Sequence, residues 1–319
     1  MLRTALTDRF SLRAPIIGAP MAGVAGGDLA AAVSAGGGLG MIGVGSSTPV
    51  EFVRAEAAKA RATGRAFGIG LMAWALAGRP DQFDTAVESG AALISVSFGT
   101  YQPWVDRLRS IGIPAVTQVG DTEEARVAAD GGIDFVIARG GEGGGHGRNR
   151  VATLPLLQSV LDTVDVPVIA AGGVATGRGL AAVLAAGAAG AWVGTAFLAC
   201  PEAINSAPAR ARALAASETG TASTTVFDVA QGLAWPPDYP GRALVNEFWR
   251  RWSGHEEELA SSPEASEQLG AARRSGDYDV AYVYAGQGVG MLRQERPAAT
   301  VVVDMATEAE RLLARWRVS

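Results

Sequence analysis

The chain has 319 residues, of which 48% are hydrophobic and 18% charged, and its formal net charge is −5. This composition excludes a disordered chain and offers no basic surface for nucleic acid or an anionic membrane. The single cysteine, Cys200, excludes an internal disulfide and favours a reducing, cytoplasmic location. We expect no secretory signal, since the first residues lack an apolar core, and no membrane span, since no apolar run reaches roughly 20 residues.

Short apolar runs alternate with longer amphipathic segments through the first 200 residues. The strand candidates are 15–20, 38–43, 66–72, 92–97, 114–118, 135–139, 166–171 and 191–194. The helix candidates between them are 28–35, 49–62, 80–89, 103–111, 121–130, 153–161 and 178–186. Eight consecutive β-α units predict an α/β fold of the (β/α)8 TIM-barrel class. A doubly wound parallel sheet is the alternative, but it usually has fewer strands and a reversal in strand order.

The periodicity changes after residue 200. We predict a helix at 205–216, a loop rich in Trp, Pro and Gly at 222–244, a polar and mostly helical segment at 246–274, a glycine-bearing loop at 282–290, and a last helix at 298–317. A long loop with aromatic residues indicates an ordered lid or a subunit contact. The chain is therefore divided into a barrel core at 1–200, an inserted substrate lid at 201–280, and a segment at 281–319 that packs back on the barrel.

One stretch, 138–148, follows the sixth strand candidate and contains six glycines within eight residues. Glycine loses much chain entropy on folding, so this density indicates backbone that must approach another group closely. His146, one of two histidines, lies within it, and an unperturbed imidazole can act as a base near neutral pH. The alternatives are a histidine that satisfies local backbone groups, and a Glu142 that is either a surface charge or a partner of His146. His255, beside three glutamates, is predicted to be exposed.

The ends of four other strands also carry candidate site residues, because the active site of such a barrel lies at the carboxyl ends of its strands. The loop at 18–23 has small side chains that suit a flat ring. Glycines at 172–173 and 194, after strands seven and eight, lie where barrels bind phosphate through backbone N–H groups. Gln118 can donate a hydrogen bond to a ring atom. Each feature alone is also compatible with a tight turn or a helix cap.

Together these stretches resemble the nitronate monooxygenases, formerly called 2-nitropropane dioxygenases, which are FMN-dependent barrels related to flavin-dependent enoyl reductases. The resemblance covers essentially the whole chain. It rests on PIIGAPMAG at 15–23, GEGGGHG at 141–147, VIAAGGVATGRG at 168–179, WVGTAFL at 192–198 and YAGQG at 284–288.

The resemblance implies FMN as the cofactor, no metal, and a small-molecule substrate with O2 as the second reactant. It implies oxidation of alkyl nitronates, or nitroalkanes, to a carbonyl compound and nitrite. His146 matches the catalytic histidine, which takes the α-proton of a nitroalkane or orients a nitronate. The residues implied to contact FMN are Ala19, Pro20, Met21, Gly70, Gln118 and Gly145 along the ring, and Gly172, Gly173, Gly194 and Thr195 at the phosphate. A homodimer is one option for assembly.

The chain departs from the family pattern at three places. Gly143 or Gly144 stands where an alanine is usual, Gly70 lies in a strand end without the asparagine of many relatives, and Gln118 replaces a lysine that would stabilise anionic flavin. Two alternatives to a nitronate monooxygenase therefore stay open. One is an NAD(P)H-dependent FMN reductase of quinones or enoyl thioesters. The other is a non-catalytic flavin-binding barrel that interacts through the 222–244 loop.

Overall fold

The computed structural model describes residues 2–315 of the chain. In this range the chain forms eleven β-strands: β1 (Ile16–Gly18), β2 (Gly40–Gly43), β3 (Phe67–Met72), β4 (Leu93–Ser97), β5 (Ala115–Val119), β6 (Phe135–Arg139), β7 (Gly145–His146), β8 (Val168–Ala171), β9 (Gly190–Val193), β10 (Thr221–Thr224) and β11 (Gly241–Leu244).

Eight of these strands form one parallel sheet in the order β1-β9-β8-β6-β5-β4-β3-β2. The two ends of the sheet meet at Leu39, whose N–H donates to the carbonyl of Ile16 at 2.9 Å and whose carbonyl accepts from Gly18 N–H at 2.9 Å. The sheet is therefore closed, and spatial neighbours follow the chain without a reversal. The predicted (β/α)8 barrel is confirmed, and the doubly wound alternative is excluded.

Residues 2–315 also form fifteen α-helices: α1 (Ala5–Phe10), α2 (Gly27–Gly36), α3 (Val50–Arg61), α4 (Ala73–Leu76), α5 (Pro80–Glu88), α6 (Gln102–Ser110), α7 (Thr122–Asp130), α8 (Thr153–Leu161), α9 (Gly177–Ala185), α10 (Ala207–Leu214), α11 (Val226–Ala230), α12 (Glu247–Trp252), α13 (Glu256–Ala260), α14 (Pro263–Ser275) and α15 (Ala298–Ala314). Two 3-10 helices lie at Thr195–Phe197 and Gln287–Met291. The predicted helices are confirmed with small boundary shifts, while the predicted end of the last helix at 317 lies outside the described residues.

The amino-terminal helix α1 closes the bottom of the barrel, opposite the carboxyl ends of the strands. Leu6 is fully buried and packs with the inward-facing side chains of the barrel strands, and the ring of Phe10 lies 5.9 Å from that of Phe135. The sequence analysis predicted no helix here, because six residues with two large apolar side chains give too short a periodic pattern.

The prediction of a loop at 222–244 is wrong in part. Strands β10 and β11 lie at its two ends, α11 lies between them, and β11 also pairs antiparallel with β7. The Thr-Ala-Ser-Thr sequence of β10 lacks the apolar alternation by which strands are recognised, and the partner β7 is a remote part of the glycine stretch. We call β10, β11, α10–α14 and the adjoining segment 276–286 the cap; its own core includes Phe227, Phe248 and Leu269.

The last helix, α15, returns to the barrel and packs against α2 and α9. Two glycines permit this approach. A Cβ on Gly36 would lie 2.8 Å from the carbonyl oxygen of Ala299, and one on Gly177 would lie 2.4 Å from Cβ of Glu308. Among the described helices, none is both long and apolar enough to span a bilayer.

Candidate active site

A cavity of about 490 Å³ lies at the carboxyl ends of the barrel strands, beneath the cap. The structure brings all of the predicted site residues to its wall: Ala19, Pro20, Met21, Gly70, Gln118, Gly145, His146, Gly172, Gly173, Gly194 and Thr195. From the cap side the cavity is lined by Asp228, Leu233, Trp235, Tyr282 and Tyr284. The barrel thus provides a floor and the cap provides a roof.

One end of the floor is built to receive an anion. Gly172 and Gly173 turn the chain after β8 with φ values of 108° and 68°, in the left-handed region that favours glycine. Within residues 2–315, the backbone N–H groups of Gly172, Gly173, Gly194 and Thr195 donate to no protein acceptor. Adjacent free N–H groups form a concave site for phosphate oxygens. These residues therefore fit the phosphate of a nucleotide cofactor such as FMN.

Along the rest of the floor, small residues pack closely on one another. A Cβ on Gly70 would lie 2.2 Å from Cγ of Pro20, so the absent side chain makes room for the proline and Gly70 offers only its backbone to the cavity. A Cβ on Gly194 would lie 3.3 Å from Cβ of Ala19 and 3.4 Å from Sδ of Met21. Such a surface fits a planar ring system.

Gln118, near the end of β5, brings a side-chain amide to this floor. Its backbone N–H donates to Oγ of Ser97 at 3.1 Å, while its side-chain amide has no hydrogen-bond partner among the residues described. The amide lines the cavity and is free to bond a ligand there.

The glycine stretch after β6 approaches the protein's own side chains. Arg139, the last residue of β6, is 5% exposed, and the loop wraps around its guanidinium. A Cβ on Gly147 would lie 2.4 Å from Nη1 of Arg139, and one on Gly140 would lie 2.1 Å from Oγ1 of Thr153. The close approach predicted from glycine density is present, and it is made to these internal groups.

Within this loop His146 is held by two cap residues. Its Nε2 lies 2.9 Å from Oδ2 of Asp228 on α11, and Oδ1 of Asp228 accepts the hydroxyl proton of Tyr284 at 2.9 Å. The side chains of His146 and Asp228 are only 10% and 5% exposed. Since a carboxylate can only accept, Nε2 carries a hydrogen and Nδ1 is the nitrogen left for a ligand.

The hydroxyl of Tyr284 remains protonated and donates its hydrogen bond to Asp228. Burial raises the pKa of Tyr284 well above its usual value of about 10, and the negative charge of Asp228 raises that pKa further. The phenol is therefore protonated across the neutral range, and Asp228 is fixed between a phenol and an imidazole.

Aromatic rings cover the imidazole and form one wall of the cavity. The ring of Trp235 lies parallel to that of His146, with centroids 3.5 Å apart and planes 2° apart. Phe98, at the end of β4, packs edge-on to Trp235 at 5.2 Å and has a φ of 71°, which a bulky residue rarely adopts. Such strain is typical of functional sites, where surrounding packing maintains it.

Ion pairs of Arg148 join the segment that carries Trp235 to the barrel. Arg148, two residues after His146, contacts Oε1 of Glu124 at 2.6 Å and Oδ2 of Asp238 at 2.7 Å. Its guanidinium also lies 4.4 Å from the centre of the Tyr239 ring. These contacts fix the segment that carries Trp235 over the histidine.

The sequence analysis did not find Asp228, and it gave no role to Trp235 or Tyr284 beyond lid or packing. Asp228 lies 82 residues from His146 within a segment read as loop. The one local signal is a lone acid inside the apolar run Val226–Ala230. Neither suggestion for Glu142 holds, because its carboxylate accepts hydrogen bonds from N and Oγ1 of Thr153 at 2.9 and 2.8 Å.

The two remaining candidates are not part of the site. Burial raises the pKa of Cys200 to about 12, so this residue is an unreactive thiol at neutral pH. The side chain of His255 is 63% exposed, as predicted for a surface residue.

Comparisons with known proteins agree with this arrangement. The family model described as nitronate monooxygenase matches residues 3–308. A nitronate monooxygenase of Neurospora crassa is 30% identical over 92% of this chain and 89% of its own length. The crystal structure of nitroalkane oxidase from Streptomyces ansochromogenes superimposes with a TM-score of 0.83 and 33% identity, covering 98% of this chain and 100% of that one.

A more similar sequence carries a different name. The (3aS,4S,5R,7aS)-5-hydroxy-7a-methyl-1-oxo-octahydro-1H-indene-4-carboxyl-CoA dehydrogenase of Rhodococcus jostii is 40% identical over 62% of this chain. The match spans 55% of that relative's length. Because the family model covers nearly the whole chain, and relatives that align over most of it carry the same family name, the chain belongs to the nitronate monooxygenase family and is an oxidoreductase.

Proposed function

We propose that the protein is an FMN-dependent nitronate monooxygenase that oxidises alkyl nitronates with O2 to carbonyl compounds and nitrite. The observation that carries the proposal is His146, which faces the same cavity as the phosphate-type glycines and has only Nδ1 left for a ligand. In the overall reaction, two nitronate anions and one O2 yield two carbonyl molecules and two nitrite ions. FMN, when bound, would supply the electron acceptor and the site of reaction with O2.

The protein's own residues would position both reactants. The free N–H groups at 172–173 and 194–195 would hold the FMN phosphate, and the floor around Pro20 and Gln118 would support the ring. His146 would accept the α-proton of a neutral nitroalkane at Nδ1, or pair as a cation with the nitronate. Asp228 favours both roles, because a carboxylate at Nε2 stabilises the protonated imidazole. Trp235 and Phe98 would exclude water from the reacting atoms.

A second candidate is an NAD(P)H-dependent FMN reductase that acts on an enoyl thioester or a quinone. Two observations favour the thioester. One is the 40% identity to a protein named as a carboxyl-CoA dehydrogenase. The other is Arg273, an exposed cation on the cavity wall, 4.8 Å from the centre of the Tyr282 ring, which could meet the phosphates of coenzyme A. Both chemistries use the same floor and differ in the electron donor.

The deciding experiment mixes the FMN-loaded protein anaerobically with propyl-2-nitronate and with NADH in separate samples. Loss of the visible flavin absorbance with the nitronate alone, and release of nitrite in air, would support the first proposal. Rapid bleaching by NADH alone, with no nitrite from the nitronate, would overturn it in favour of the reductase. Absence of flavin from the purified protein, even after incubation with FMN, would overturn both.

The role of His146 is tested by His146→Gln, with His255→Gln as the matched control. We expect kcat/KM for a neutral nitroalkane to fall at least about 100-fold in the first variant, because a positioned base contributes about that much or more. The decrease for the preformed nitronate should be smaller, since no proton has to be removed. Unchanged turnover of both substrates in His146→Gln would instead favour a non-catalytic barrel.

A further inference from the structure

Arg139 is a buried cation on the cavity floor to which the proposed mechanism gives no part. It ends β6, where Phe135 and Ile137 point into the barrel interior, so the two-residue alternation of a strand directs Arg139 toward the barrel axis as well. In the sheet, Ile137 pairs with Gln118 of β5 and Arg139 pairs with Ala171 of β8. The guanidinium itself is enclosed by the loop at 140–149, and Arg139 lines the cavity together with Gln118 and Gly172.

The partners of Arg139 solvate its charge without neutralising it. Nη2 donates to the carbonyl oxygens of Gly143, Gly144 and Gly145 at 2.8, 3.1 and 2.9 Å, and Nη1 donates to Oδ1 of Asn149. No carboxylate within residues 2–315 forms an ion pair with it, and the carboxylate of Glu142 is already bonded to Thr153. A full positive charge thus stays in the wall of the cavity.

No carboxylate on the barrel side of the cavity, among the described residues, lies near enough to balance this charge. Among the described residues that line the cavity, the one carboxylate is Asp228, which is bonded to His146 and Tyr284 in the roof. Burial and, after it, the nearby charge of Arg242 lower the pKa of Arg139 to about 10 against the opposing charge of Glu142, so the side chain is still cationic at neutral pH. An uncompensated buried charge is costly, which favours a function for it.

We propose that Arg139 is the residue that stabilises negative charge on the flavin ring, taking the place of a lysine at position 118. This inference rests on the proposed FMN-dependent function. Reduced flavin is an anion at neutral pH, and charges near the ring tune its electronics. A fixed cation at the end of β6 would raise the reduction potential of the bound flavin. It would also favour addition of sulfite to the oxidised ring, since that adduct is anionic too.

The test compares sulfite affinity and midpoint potential in three FMN-loaded variants. Arg139→Gln removes the charge, Arg139→Lys keeps it, and Asn149→Gly removes a partner of the guanidinium while tolerating the φ of 55° at that position. We expect Arg139→Gln to weaken sulfite binding at least about tenfold, and the potential to fall correspondingly by about 30 mV or more for a two-electron couple. Arg139→Lys and Asn149→Gly should each stay within about threefold of the wild type, because the charge remains.

Adding Gln118→Lys to Arg139→Gln should restore most of the lost sulfite affinity, because the cation returns on the adjacent strand. The proposal is overturned if Arg139→Gln binds FMN with unchanged potential and sulfite affinity, or if Arg139→Lys loses as much as Arg139→Gln. If Arg139→Gln does not retain FMN, the lysine variant and the double variant decide by the same criteria. If the wild-type protein binds no FMN, the proposed cofactor is refuted. A charge-dependent potential without nitronate turnover refutes only the proposed substrate.

Discussion

At the scale of single residues, the histidine is useful because of what surrounds it. A solvent-exposed imidazole presents both nitrogens in either tautomer, whereas here Asp228, itself bonded by Tyr284, holds Nε2 and leaves Nδ1. The position of His146 at a strand end could be predicted from the sequence. Its partners could not, because they come from α11 and from residue 284 and meet only in the folded cap.

Replacing Asp228 by asparagine should separate this orienting effect from simple packing. An amide of the same shape carries no charge, so the protonated imidazole loses its stabilising partner and the tautomer is no longer fixed. We expect kcat with a nitroalkane to fall about 100-fold, as for other residues that support acid–base catalysis.

Tyr284→Phe is the matched control for that variant, because it removes one hydrogen bond and leaves the carboxylate. Its effect should be below about tenfold, since a single hydrogen bond contributes about 1 kcal/mol. Equal losses of kcat in Asp228→Asn and Tyr284→Phe would show that the charge of Asp228 is not what matters. FMN content and melting temperature verify that both variants are folded.

At the scale of elements, the contact between β7 and β11 brings the cap to the barrel. Gly241 pairs with His146 in this small sheet, and its missing side chain makes room for two rings. A Cβ there would lie 2.6 Å from Cε1 of Tyr284 and 3.2 Å from Nε2 of His146. Strand pairing between segments almost a hundred residues apart has no local signature, which is why the sequence analysis predicted no strand at either place.

Gly241→Ala should therefore impair the site without unfolding the barrel. We expect kcat/KM to fall at least about tenfold, because one of the two rings has to move and a small misplacement is costly in catalysis. The FMN content should stay the same. Gly270→Ala is the control, since its Cβ would meet only the far end of the Arg274 side chain, at 3.3 Å from Nη1. Wild-type activity in Gly241→Ala would contradict the packing argument.

At the scale of the whole molecule, the two ends of the barrel serve different purposes. The upper end carries the cavity and the cap, while α1 closes the lower end through Leu6, which is fully buried beside Gly190 of β9. In this barrel class, residues at the carboxyl ends of the strands typically serve catalysis, and residues at the opposite end serve stability. A change at the bottom should thus affect folding and leave catalysis intact.

Leu6→Ala tests this division. The free energy of unfolding should fall by about 2–5 kcal/mol, the cost of a large-to-small change at a packed core position. The kcat of the folded enzyme should not change, because the cavity lies at the other end. Leu154→Ala, at a position 46% exposed on α8, should change the stability by less than about 0.5 kcal/mol. A loss below about 1 kcal/mol in Leu6→Ala would mean that α1 is not part of the core.

The sequence by itself determined the features that depend on neighbours along the chain. Eight β-α units define the barrel, and because parallel strands end at one rim, the glycines at 172–173 and 194, Gln118 and His146 had to share it. Only the tertiary structure decided what these residues face. The pairing of Asp228 with His146, the β7–β11 contact and the burial of Arg139 without a carboxylate join segments that approach one another only after folding. Local periodicity carries no information about such contacts, since each depends on where remote segments pack.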